Sequence, residues 1–134
     1  TIETTKGTVA FIGDVGKSTY TTSGNVGDPN SYTIVKTIDT STPSGYRIKI
    51  MGQSPAFNSE TIQTITYPIK LNGIFPGAWG VTTMWKNMGG ALDHDANMDI
   101  VTIPTLTSIS INCNQTDEPL TEYPAYGIWW IEGW

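Results

Sequence analysis

Apolar and polar residues in this chain alternate with the period of a strand. In Leu106–Cys113 (LTSISINC) Ile109, Ile111 and Cys113 hold the odd positions, and Ser108, Ser110 and Asn112 hold the even ones. Successive side chains of a strand point to opposite faces, so this segment has one dry face and one wet face. Runs of strand character recur between Gly-, Pro-, Asn- and Asp-rich turns. They are Thr8–Ile12, Lys17–Thr22, Ser31–Thr40, Tyr46–Met51, Thr61–Leu71, Ala78–Lys86, Asp99–Ile103, Leu106–Cys113 and Tyr126–Trp134. Short strands at this spacing predict an antiparallel sandwich or barrel-like fold. Only Asn87–Leu92 has room for a helical turn, and Gly89 and Gly90 argue against more.

Two strands depart from simple alternation. The last carries Tyr126, Ile128, Trp130 and Trp134 on its even face, broken by Glu132, and Trp129 and Ile131 on its odd face. Ala78–Lys86 carries Trp79, Val81 and Trp85 on one side and Met84 on the other. A two-layer sandwich covers one face of each sheet. The second apolar face calls for another cover, and a neighbouring subunit is the simplest one. A long loop folded over these strands within one chain is the alternative.

Composition narrows the class further. The chain has 134 residues, which fits about one domain. Charged residues make up 14%, and the chain holds 21 Thr, 16 Ile and 6 Val against 4 Leu. β-branched side chains lose rotamer freedom in helices and suit pleated surfaces, so an all-α fold is excluded. Five Trp, 6 Tyr and 3 Phe exclude a disordered tail. The net charge of −5, with a single Arg, argues against nucleic acid and anionic membranes as partners. Cys113 is the only cysteine, so no internal disulfide forms, and in a strand it reads as a small buried hydrophobe. No apolar run approaches a membrane span. The chain opens Thr1-Ile2-Glu3, without Met or a secretory signal, and reads as part of a longer chain or a processed product.

Several stretches resemble bacteriophage tail-fibre tip domains. Glu60–Ile69 (ETIQTITYPI) is similar to that family's x-x-V-T-F-P-I/V-x-F strand, and Ala78-Trp79-Gly80-Val81 to the A-x-x-V pattern that follows. The close, Ile128–Trp134 (IWWIEGW), resembles Y-W-I-A-I-G-Y. Trp129, Gly133 and Trp134 fit it, and Trp130, Ile131 and Glu132 depart from it. Gly45–Gly52 (GYRIKIMG) sits where the family has G-x-I-I-x-W-G. The likeness covers residues 45–134 and implies a homotrimeric knob at the distal tip of a fibre on a virion, which adsorbs to a host surface. Residues 1–44 would then be N-terminal strands or a junction to a fibre shaft packed on the knob, unless 1–134 form one domain. Trp79, Trp129, Trp130, Ile131 and Trp134 are the residues expected between subunits.

Candidate chemistry concentrates in loops, where a rigid β scaffold usually presents recognition groups. Asp93, Asp95, Asn97 and Asp99 fall at alternate positions, the spacing at which a Ca²⁺ loop begins to wrap its ion. Met98 stands where an EF-type loop needs Gly, and Pro104 where it needs Glu. In an extended strand the same spacing sets the four side chains on one solvated face. No metal or other cofactor is therefore expected. Carboxylates and amides beside an aromatic platform also suit sugar hydroxyls. The expected receptor-binding set is Trp85, Asn87, Asp93, His94, Asp95 and Asn97, with Tyr123 and Tyr126 from the second long loop. His94, the only histidine, lies among acids with no nucleophile context, so no catalytic set is argued. Gly13–Ser18 (GDVGKS) lacks the glycine spacing of a phosphate loop, and β-branched residues follow it instead of a helix.

The expectation is thus an all-β, antiparallel, sandwich-like homotrimeric knob, not an enzyme, that binds a host-surface glycan such as lipopolysaccharide or capsule. A monomeric pilin-like or lectin-like β-sandwich is the alternative, with Gly7–Phe11 as a strand available for donation.

Overall fold

A computed structural model describes residues 18–85, 96–115, 120 and 124–134 of the chain. Eight strands form among them: β1 (Ser18–Ser23), β2 (Tyr32–Ile38), β3 (Tyr46–Gln53), β4 (Thr61–Thr66), β5 (Ile74–Trp85), β6 (Ala96–Ile100), β7 (Ser108–Gln115) and β8 (Ala125–Gly133). No helix occurs among the described residues, and the expected run Thr8–Ile12 lies outside them. All strand pairs are antiparallel.

Local chemistry sets the ends that alternation misplaced. β4 stops at Thr66, short of the expected Leu71, because Pro68 has no N–H to continue the ladder. β5 starts at Ile74, before the expected Ala78, and its register against β8 shifts between Ile74 and Trp79. Pro76 and Gly77 make that bulge, and Gly77 takes φ 73°, which a side chain tolerates poorly. Pro76 is admissible there because β5 is an edge strand.

The strands assemble into two sheets, β1-β2-β3-β8-β5 and β4-β7-β6. The chain leaves the large sheet after β3, returns for β5, leaves again for β6 and β7, and closes with β8 in the middle. β1 and β2 hydrogen-bond onward to β3, so the expected boundary at residue 44 falls in a turn inside one continuous sheet.

Register assigns the faces. Ile50 opposes Ile131, which opposes Trp79, and Gly52 opposes Trp129, which opposes Val81. These residues look toward the small sheet. Ile109, Ile111 and Cys113 of β7 and Met98 of β6 look back, and all these side chains join one core with Phe57, Leu71 and Leu120 from the connections. Full burial of a side chain such as Ile50 or Ile131 stabilises the fold by about 1.5–3 kcal/mol each. The wet face expected for β7 is present: Ser108, Ser110, Asn112 and Asn114 lie on the outer side of the small sheet.

The expected subunit interface is corrected at two positions. Trp129 is 2% exposed and Ile131 fully buried within a single chain, because both face the small sheet. Trp79 shares that inner side and is half-buried against the core. Trp134 lies over Gly73 and packs on Phe75 of its own chain, with ring centroids 5.1 Å apart. Trp130 lies on the outer face of the large sheet, half-buried beside Met51 and Gly80.

Candidate functional site

Three strands cannot cover five. β5 lies against β6, so the small sheet sits over the β5 side and β1 and β2 extend beyond it. On their inner side Lys36 and Ile38 are exposed and Tyr32 is half-buried. The sandwich is therefore open between β2 and the free edge of β4, and a cleft runs along that opening.

The inner part of the cleft has a volume of about 150 Å³, with Trp129 at its floor and Tyr32, Ile65 and Pro68 as its apolar walls. Asn30, Ser31 and Thr66 add an amide and hydroxyls, and Gln53 also borders it. The outer part, about 510 Å³, shares Asn30, Ile65 and Thr66 with the inner one and extends over Pro55, Gln63 and Thr64. Among the described lining residues there is no Asp, Glu, Lys, Arg or His. The described walls offer hydrogen bonds and flat apolar surface.

Backbone contacts hold its rim. Asn30 adopts φ 60°, a left-handed conformation that Asn tolerates better than most residues. Its N–H donates to Gln53 O at 3.0 Å, and the Gln53 N–H donates to Ser31 O at 2.9 Å. Gln53, itself buried, donates from Nε2 to Gly27 O at 2.9 Å. Behind the cleft Tyr67 stacks on Trp129 at 5.8 Å and donates its hydroxyl to Ser108 O at 2.8 Å. Burial pushes the Tyr67 phenol far above its usual range.

Two residues that line the cleft each carry a buried polar atom without a hydrogen-bond partner: Trp129 Nε1 and Gln63 Oε1. Gln63 donates its other amide atom to Ala56 O at 3.1 Å. A buried polar group left unpaired costs about 1–3 kcal/mol, so such atoms are uncommon and mark places where another molecule can complete the set.

The expected site residues are dispersed by comparison. Asn87, Asp93, His94, Asp95 and Tyr123 lie outside the described residues. Trp85 ends β5, half-buried opposite Ala125. Tyr126 is 6% exposed, which removes its side chain from the receptor-binding set. Asn97 and Asp99 are exposed on the outer face of β6, as the strand reading of their spacing requires. There Asn114 Nδ2 lies 3.5 Å from Asp99 Oδ2, and Asn112 donates to Asn114 Oδ1 at 3.0 Å. Among the described residues no three His, Cys, Asp or Glu side chains converge as metal ligands.

The fixed charges lie elsewhere. Arg47 binds Glu132 at 3.0 Å and Asp39 at 3.3 Å, and its guanidinium stands 4.5 Å from the Phe75 ring. The Ser41 hydroxyl and N–H, followed by Arg47, hold the Asp39 carboxyl below its usual range. Burial, with Glu60 adding to it, pushes the Cys113 thiol up.

Alternation did not reveal the cleft. In β4 the apolar residues Ile62 and Ile65 fall on opposite faces, and Ile62 is 54% exposed. The available signal was Gln63, an amide on the same face as Ile65, which must find partners if that face is buried.

Comparison with protein-family models, with curated proteins and with solved structures finds no match for this chain.

Proposed function

We propose that this chain is a non-catalytic attachment domain of a bacteriophage tail-fibre tip, a homotrimer that binds a host-surface glycan such as lipopolysaccharide or capsule. The observation that carries the assembly is the outer face of the large sheet. Val35, Met51, Ile128 and Trp130 form a half-buried apolar band across β2, β3 and β8, on the side away from the small sheet. A band of this kind in a rim of polar residues is characteristic of an interface. The likeness of residues 45–134 to fibre tips supplies the number of copies and the host-surface role. Three weak sites on one tip, and several fibres per particle, raise avidity by about 10²–10⁴ without new contacts.

The test is incubation of the chain with purified lipopolysaccharide or capsule, followed by chain-length analysis of the polysaccharide. The proposal expects retention of the protein on the glycan with no shortening. Shortened chains would make it a hydrolase.

A monomeric lectin-like module is the second reading. In that reading the cleft is the binding site of the single chain. Mass in solution separates the two.

A further inference from the structure

We infer that the cleft between β2 and the free edge of β4 is the saccharide site, and that it takes an uncharged sugar ring rather than an acidic one. This rests on the glycan-binding reading above and names its place and ligand class.

The charge class follows from the walls. An acidic sugar entering a chain of net charge −5 needs a local cation, and the described lining residues provide none. A cationic ligand needs a carboxylate, and none lines the cleft among the described residues. The described walls suit a ligand rich in neutral hydroxyls with an apolar ring face. Tyr32 and Pro68 offer flat surface to such a face, and Asn30 and Thr66 offer hydrogen bonds to its rim.

The anchor is the pair of unpartnered atoms. Trp129 Nε1 can only donate and Gln63 Oε1 can only accept. A hydroxyl does both, so a ligand rich in hydroxyls answers either requirement with one kind of group. The indole is held in place for this task. Its Cε2, bonded to Nε1, packs on Gly52, where an added Cβ would stand 2.8 Å from it and 3.0 Å from Ser31 O. Both atoms are buried.

An extended peptide added to the free edge of β4 is the competing occupant. It would use backbone groups of Thr61–Thr66 and would leave the indole N–H as it is.

The experiment is a titration of the full chain, ¹⁵N-labelled, with neutral hexose and N-acetylhexosamine oligosaccharides, and in parallel with hyaluronan oligomers and an unstructured Thr/Ile-rich peptide. The proposal expects a neutral oligosaccharide to shift the Trp129 indole N–H resonance and hyaluronan to leave it unmoved. Asn30→Gly, which keeps the left-handed backbone while removing the amide, and Gln63→Leu each weaken binding by about three- to tenfold. Thr102→Ala, at an exposed position lining neither part of the cleft, leaves affinity unchanged. Saccharide binding that moves Asn112 and Asn114 instead of Trp129, or that survives both cleft variants, overturns the cleft and leaves the glycan reading standing. Preference for hyaluronan overturns the charge class. Peptide-induced shifts along β4, with none from any saccharide, overturn both.

Discussion

Trp130 lies across Gly80, its cross-strand partner: a Cβ on Gly80 would come within 2.3 Å of the indole Cζ2. Trp129 and Gly52 repeat the arrangement on the opposite face of β8, at 2.6 Å. An indole over a glycine fills the gap left by the missing side chain, and the two pairs knit β8 to β5 and to β3. The pairs differ in freedom, since Trp129 is enclosed by the small sheet and Trp130 is half-open.

That difference sets an order for two substitutions. Gly52→Ala forces a carbon against an indole that cannot retreat and against Ser31 O, and is expected to cost about 1–3 kcal/mol. Gly80→Ala is expected to cost less, because Trp130 can tilt outward. Urea unfolding of both variants measures this, and an equal or reversed order would mean that Trp130 is also confined.

Cys113 is fully buried and its thiol is pushed up by burial, so a disulfide-exchange reagent is expected to leave it unlabelled in the folded chain. Labelling should appear only with unfolding, at the rate of unfolding. Rapid stoichiometric labelling at neutral pH would contradict the packing of β7 against β8.

Asp39 supplies a pH dependence. Its folded carboxyl lies below the ordinary 3.8, first through hydrogen bonds from Ser41 and then through Arg47. A depressed carboxyl stabilises the fold above its unfolded value, and that contribution is lost as pH falls through the lower folded value. Carboxyl-carbon NMR titration should find Asp39 ionised at a pH where ordinary aspartates are half protonated. Ser41→Ala should move its midpoint upward, and no movement would remove the Ser41 contribution.

Alternation made the strands of this chain legible and left their covers ambiguous. The dry and wet sides of Leu106–Cys113 translate directly into β7, because both neighbours of that strand lie in the same small sheet. In β8 the pattern is apolar on both sides for two different reasons. Trp129 and Ile131 face the small sheet, while Ile128 and Trp130 face away from it. A period of two marks a second apolar face without saying which face is already covered. The cleft was less visible still, since Asn30, Ile65 and Trp129 are far apart in sequence and line one opening only because β1 and β2 overhang a narrower sheet.

The outer band makes its own prediction. Trp130→Glu puts a charge at the centre of the apolar face while leaving the inner core untouched. It is expected to abolish assembly while the far-ultraviolet spectrum keeps its β character. Loss of that spectrum would place Trp130 in the fold of the single chain instead.

The central claim, that copies of this chain share the outer face of the large sheet, is tested most directly by the mass of the unaltered chain in solution. Sedimentation equilibrium at micromolar concentration is predicted to return three times the chain mass. A single chain mass would contradict it.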